Sequence, residues 1–150
     1  MQSKLIQSIL FACFGITIEI IFTAIKYNVF LPLINETPVI WILEGTSYLW
    51  MFFIYGSIPF IFPLVYNKIK KLNIIFRILI YGIIILAIEY LTGALLDLIT
   101  GNCPWLYTEG ITINGYIRLD YLPMWMFFGF LVEKLWIRLN TLLKPADFRR

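Results

Sequence analysis

An all-α, polytopic membrane fold is expected for this 150-residue chain, and three observations predict it. Hydrophobic residues make up 61% of the chain and charged ones only 14%. The apolar residues fall into four stretches, residues 5–25, 47–66, 74–96 and 121–139, each near the length a helix needs to cross about 30 Å of hydrocarbon at about 1.5 Å per residue. The basic residues gather on one side of those stretches. A water-soluble domain of this size is excluded, and a single four-helix transmembrane domain over residues 1–150 is expected.

The first stretch carries Glu19 and ends in Thr23, Ala24, Ile25 and Lys26. That is not a small-residue cleavage site, so the segment is expected to remain as a helix. The second contains Pro59 and Pro63, each lacking a backbone donor, and a kink or unwound turn is expected there. The third, cleanest over residues 73–88, has no such breaker. The fourth carries Glu133.

Orientation follows from the positive-inside rule. Lys4, then Lys68, Lys70, Lys71 and Arg77, then Lys134, Arg138, Lys144, Arg149 and Arg150 fall on one face. Lys26 and Arg118 fall on the other, where Glu36, Glu44, Asp97, Glu109 and Asp120 outnumber them. Both termini are therefore expected in the cytoplasm of a multi-pass protein of the plasma membrane. Trp41, Trp50, Trp105, Tyr107, Tyr116, Tyr121 and Trp125 crowd the outer boundary, as an aromatic belt does.

Two outer loops connect the spans. Residues 100–122 are punctuated by Gly101, Gly110 and Gly115 and alternate apolar with polar residues, the pattern of a short β-hairpin. Residues 28–46 hold Pro32, Pro38 and the apolar run 39–43, which is expected to dip into the membrane interface. Cys13 and Cys103 stand in segments expected at different depths, so no internal disulfide is expected.

The informative residues are carboxylates inside the spans. Glu19, Glu89 and Glu133 would each cost about 2.5 to 3.5 kcal/mol at a span centre, so they should face a bundle interior or a watery cavity. Helical spacing agrees: Ser8, Ala12, Gly15, Glu19, Thr23 and Lys26 form one small or polar stripe. Gly129 with Glu133, and Glu89 with Gly93, repeat the device, since small residues let backbones approach until carboxylates find donors. Glu19 and Glu89 are expected at similar height in the outer half, close enough to share a proton or a captured cation. Glu133 is expected on the order of 10 Å nearer the cytoplasm. Two readings stand side by side. The carboxylates form a site for a proton, cation or amine, or they are interhelical glue bonding Thr23, Thr92, Tyr55, Tyr81 or indole donors; Glu133 with Lys134 also reads as a simple interfacial pair.

A parallel two-hairpin repeat is suggested by Ile18-Glu19 returning as Ile88-Glu89 and by Trp50-Met51-Phe52-Phe53 returning as Trp125-Met126-Phe127-Phe128. Chance recurrence in so aromatic a chain explains the echo about as well, and Ile58 stands where a counterpart of Glu133 would be.

Over residues 15–140 the chain resembles the transmembrane protein 229 family, grouped with bacterial proteins labelled type IV ABC-transporter permeases. The resemblance rests on Gly15, Glu19 and Phe22-Thr23-Ala24; on Gly45-Thr46-Ser47, Trp50 and Phe53-Ile54-Tyr55-Gly56; and on Glu89 with Thr92-Gly93. It continues through Cys103-Pro104-Trp105, Tyr107, Gly115, Ile117, Leu119, Tyr121, Trp125, Gly129 and Glu133. Where the family usually reads Pro-Trp-Asp-Tyr, this chain has Leu106, so an outer carboxylate is lost. The resemblance implies a small four-helix membrane protein and adds membership more than mechanism.

The candidate ligand- or ion-binding set is Glu19, Glu89, Glu133, Tyr55, Thr92, Trp105 and Tyr107, with no catalytic residue among them and with metal and cofactor left open. No histidine is present, and no phosphate-binding loop or dinucleotide fingerprint, so ATP hydrolysis and histidine-dependent or zinc chemistry are not expected of this chain. A transport component of this size is expected to work as a homo-oligomer or with a separate ATPase, in a lipid bilayer and not on nucleic acid. The alternatives are an intramembrane lipid-modifying enzyme using a Glu pair as acid and base, and a non-transporting accessory subunit.

Overall fold

The computed structural model describes residues 2–143 and is all-α apart from one small hairpin. Lys144, Arg149 and Arg150, counted above as inner positive charges, lie outside the described residues, as do both chain ends. The described chain divides into two compact units, Met1–Leu64 and Val65–Arg150.

In the first unit α1 (Gln2–Ile25) runs through a π-helical turn (Lys26–Phe30) into the short α2 (Leu31–Ile34). Together, Ser3–Ile34 form a helix of 32 residues that is long and apolar enough to cross a membrane. Residues 39–48 are not helical, and α3 (Leu49–Gly56) then returns along α1. The non-helical return is laced to α1: the Ile40 amide donates to Asn28 O, the Asn28 side chain donates to Glu44 O, and Thr23 bonds both backbone groups of Thr46. Glycine is required at position 45, where a Cβ would lie 2.0 Å from Ile20 O.

The expected kink is present in the stretch that holds Pro59 and Pro63. α3 and α4 (Ile58–Ile69) meet at an angle of 43°, and together they satisfy the length and hydropathy of one span. The break falls at Gly56 and Ser57, ahead of both prolines. Pro59 lies in the first turn of α4, where a missing amide costs little. Pro63 sits inside the helix and leaves Pro59 O without its usual i+4 donor; the ammonium of Lys4 takes that carbonyl at 3.1 Å.

The second unit is built on α5 (Ile74–Thr100) and α6 (Leu122–Leu142), which pack along each other. α5 begins where Asn73 accepts a bond from the Ile75 amide at 3.0 Å, an N-cap, and it is apolar enough to cross a membrane. α6 is long enough, but every 18-residue stretch of it carries Glu133, Lys134 and Arg138, more charge than a self-evident span holds. Two described helices therefore read as spans by length and composition, and a third if the bent pair is one.

Between α5 and α6 stands the expected antiparallel hairpin, β1 (Thr112–Ile113) with β2 (Ile117–Arg118), in the register Ile113 opposite Ile117. Asn114 and Gly115 have φ of 52° and 73°, and the Tyr116 amide donates to Ile113 O at 3.0 Å. An Asn-Gly pair adopts this left-handed turn at little cost, which is why the reversal falls here. The Tyr107 amide donates to Gly115 O, and the indole of buried Trp105 donates to Tyr116 O, which ties the preceding loop to the hairpin.

Candidate functional site

Each of the three helix carboxylates Glu19, Glu89 and Glu133 accepts a hydrogen bond from a tyrosine hydroxyl, and each lies four positions from a glycine. The geometry follows from helical periodicity. A residue four positions along lies one turn away on the same face, so a glycine there opens the space for an aromatic ring beside the acid.

In the first unit Gly15 and Glu19 share a face of α1. A Cβ on Gly15 would fall 2.3 Å from Tyr55 Cγ, so the ring of Tyr55, on α3, lies flat against the missing side chain. Its hydroxyl then reaches Glu19 Oε2 at 3.0 Å, and the Ser47 hydroxyl donates to the same oxygen at 3.0 Å. Ser47 immediately precedes the entrance to α3, so Glu19 stands near the positive end of that helix, a favourable place for a negative group. Among the described residues no Lys or Arg pairs with Glu19.

The second unit repeats the device with the opposite outcome. A Cβ on Gly129 would fall 2.5 Å from Tyr81 Cβ, and the Tyr81 hydroxyl donates to Glu133 Oε2 at 2.7 Å. Here a cation is supplied. Arg77 donates from Nε to Oε2 at 3.0 Å and from Nη2 to Oε1 at 2.7 Å, while its Nη1 reaches Leu72 O at 3.0 Å. Glu133 is 1% exposed, and both its oxygens are engaged in a side-on, two-bond ion pair. The neighbouring Lys134 does not take part; it lies over the Phe130 ring, because adjacent helical residues point to different sides.

Glu89, on α5, accepts from the Tyr107 hydroxyl at 2.7 Å. Gly93, one turn on, is crossed by the outer loop: a Cβ there would lie 3.2 Å from Tyr116 Cβ and 3.3 Å from the Trp105 indole nitrogen. Tyr107 in turn packs edge-on against Tyr121, and the Arg118 guanidinium lies above the Tyr121 ring. The Tyr116 hydroxyl donates to Asp97 at 2.7 Å, which holds its proton on and raises the phenol above its usual range. Arg118 pairs with Asp120, and the guanidinium holds that carboxyl below the ordinary 3.8. Burial pushes the Cys103 thiol up, and both Cys103 and Cys13 are free.

Of the residues expected to bind a ligand or ion, Glu19 meets Tyr55, and Glu89 meets Tyr107, each within its own unit. Trp105 is buried beside Gly93 and spends its indole donor on the hairpin. Thr92 does not serve a carboxylate; its hydroxyl turns back onto Ile88 O at 2.7 Å, a common habit of helical threonine. Glu133 is joined by Arg77, which the sequence offered only as an inner topology charge, and by Tyr81. Ser47 was read as the first residue of a span; its two-residue distance from the true helix start is what frees it to reach Glu19. The pairing of Glu19 with Glu89 would place Ile85 opposite Gly15, and that of Trp50 with Trp125 would place Phe130 opposite Tyr55, so the Glu19 clasp has no chemical counterpart at those positions. Among the described residues no three or more Cys, Asp and Glu gather into a set able to hold a metal ion.

No protein-family model matches the chain, and no solved structure matches it.

Proposed function

We propose that the protein is a multi-pass membrane protein of transport type in which Glu19 takes up a proton or a singly charged cationic substrate. The observation that carries this reading is the contrast between two carboxylates held by the same glycine and tyrosine device. Glu133 is neutralised by Arg77, whereas Glu19 receives only two hydroxyl hydrogen bonds. A carboxylate left uncompensated inside a span is costly and marks a proton or ion path more often than a packing contact. One carboxylate with hydroxyl partners offers a single negative charge, which suits a proton or monocation better than a divalent metal with its larger oxygen shell.

In this reading α1, the bent pair α3 and α4, α5 and α6 are four crossings, α6 being admitted because Arg77 cancels the charge of Glu133. Lys4 and residues 68–71 lie on the cytoplasmic side of a plasma membrane. A homo-oligomer or a separate ATPase goes with this reading, in keeping with the resemblance to permease-labelled proteins. A second reading, a non-transporting accessory subunit, is favoured by the Arg77–Glu133–Tyr81 cluster, whose groups satisfy one another and leave nothing for a substrate.

Native mass spectrometry of the protein in nanodiscs, wild type beside Glu19→Gln, separates the two. A transport component is expected to carry an amine or monovalent cation that the variant loses, or an ATPase partner. Bare particles of equal stability from both proteins, with proton uptake by the carboxyl unchanged in Glu19→Gln, would overturn it in favour of the accessory role.

A further inference from the structure

The first unit brings non-helical backbone down to the depth of Glu19. Lys4 and Lys26 bracket the apolar part of α1, and the 22 steps between them span about 33 Å, the thickness of a hydrocarbon core. Measured along the same helix, Thr23 lies about 5 Å and Glu19 about 10 Å below the outer edge. Thr46 is bonded to Thr23, and Ser47 to Glu19, so both are held at those depths. From there to the inner edge α3 and the start of α4 suffice: Pro59, twelve residues after Ser47, meets Lys4. The second crossing is thus helical only in its inner two thirds, and its outer third is extended chain.

Extended chain has unsatisfied groups. Among the described residues the amides and carbonyls of Gly45 and Ser47 have no hydrogen-bond partner, and Thr46 between them is exposed. Lipid cannot satisfy such groups; irregular backbone persists at membrane depth only under protein or beside water.

We infer that a water-filled vestibule descends from the outer face along residues 44–47 and ends at the Glu19 carboxylate. Its ligand arrives hydrated from the outer aqueous phase, as a proton or a small monovalent cation, rather than laterally from the lipid. The vestibule rests on the proposed crossing of α1 between Lys4 and Lys26 and of the bent pair beside it, and the purpose given to it rests further on the reading of Glu19 as the functional carboxylate.

The test is cysteine accessibility in the full chain with Cys13 and Cys103 replaced by Ser. Single variants Glu36→Cys, Glu44→Cys, Thr46→Cys and Phe53→Cys are treated with a membrane-impermeant charged maleimide, from whichever side labels Glu36→Cys. The Thr46 side chain makes no hydrogen bond, and both backbone bonds survive the change, so folding is not at stake. Because thiols react as thiolates, which form in water and not in hydrocarbon, Thr46→Cys is expected to label within about tenfold of Glu36→Cys and Phe53→Cys at least about a hundredfold more slowly. Thr46→Cys as slow as Phe53→Cys, or protected by a disulfide to a second copy, would overturn the vestibule. Labelling that is the same with and without Glu19→Gln, in a protein whose bound ligand also ignores Glu19→Gln, would leave the vestibule standing and remove only the function assigned to it.

Discussion

Arg77 and Glu133, 56 residues apart in sequence, share two hydrogen bonds on the packed faces of α5 and α6. This pair decides how the fourth apolar stretch stays among its neighbours. A buried ion pair gains little over an apolar pair of the same shape, but losing one partner strands the other charge. Arg77→Met is therefore expected to cost about 3 to 5 kcal/mol, and Arg77→Met with Glu133→Leu much less. Unfolding of the four proteins of this cycle in detergent or nanodiscs checks it; equal losses in the single and double variants would contradict the pairing.

Removing a hydroxyl at Glu19 is milder. Tyr55→Phe is expected to cost about 0.6 to 1.7 kcal/mol, the range of interhelical hydrogen bonds, because Ser47 still serves the same oxygen. Glu19→Gln keeps an acceptor for both donors and is expected to fold with little change in melting temperature while losing ligand. A large loss of stability in Glu19→Gln would make the acid a packing residue.

The glycines beside the acids are expected to be intolerant in proportion to the space they face. Gly15→Ala and Gly129→Ala place a Cβ 2.3 Å and 2.5 Å from Tyr55 and Tyr81, so helices or rings must shift, at about 1 to 3 kcal/mol. Gly56→Ala meets nothing nearer than 3.6 Å and serves as the matched control. Thermal unfolding of the three variants checks the order, with Gly56→Ala nearest wild type.

The outer hairpin has its own pH signature. Asp120 is held below 3.8 by Arg118, so the clasp adds stability above the ordinary Asp range and loses it only as pH falls through the lowered value. Hydrogen-exchange protection factors at residues 111–118, taken against the intrinsic rate at each pH, are expected to be unchanged from neutral pH to about 5 and to fall only below the ordinary Asp value of about 3.9. In Asp120→Asn the residual acid dependence should vanish; its persistence would assign the effect elsewhere.

The raised Cys103 thiol yields a simpler expectation. Burial beside Gly93 disfavours the thiolate, so Cys103 should react with maleimide more slowly than a free peptide thiol at neutral pH. A rate equal to the peptide's would mean that the loop over Gly93 opens readily.

Much of this was legible in the sequence because it follows from periodicity. The stripe holding Gly15 and Glu19 and the glycine beside Glu133 follow from helical spacing, and a hairpin within residues 100–122 follows from glycine punctuation and alternation. Arg77 was not legible as a partner, since a basic residue just inside a span also satisfies the positive-inside rule, and nothing local ties it to Glu133. The extended residues 44–47 were hidden for a related reason: Ser47 opens an apolar run, and hydropathy does not distinguish a helix that starts there from one that starts at Leu49. The kink was legible from the prolines: the bend at Gly56 and Ser57 lies just ahead of Pro59, which lacks the donor that would continue α3, while Lys4 takes the carbonyl that Pro63 leaves free.

The most direct measurement is infrared difference spectroscopy of the carboxyl C=O stretch in nanodiscs, recorded on changing pH and on adding monovalent cations or amines. A protonated-carboxyl band that responds to these additions, disappears in Glu19→Gln and survives in Glu133→Gln is the expected result. Spectra identical in wild type and Glu19→Gln would contradict the assignment of Glu19 as the acid that takes up a proton or cation.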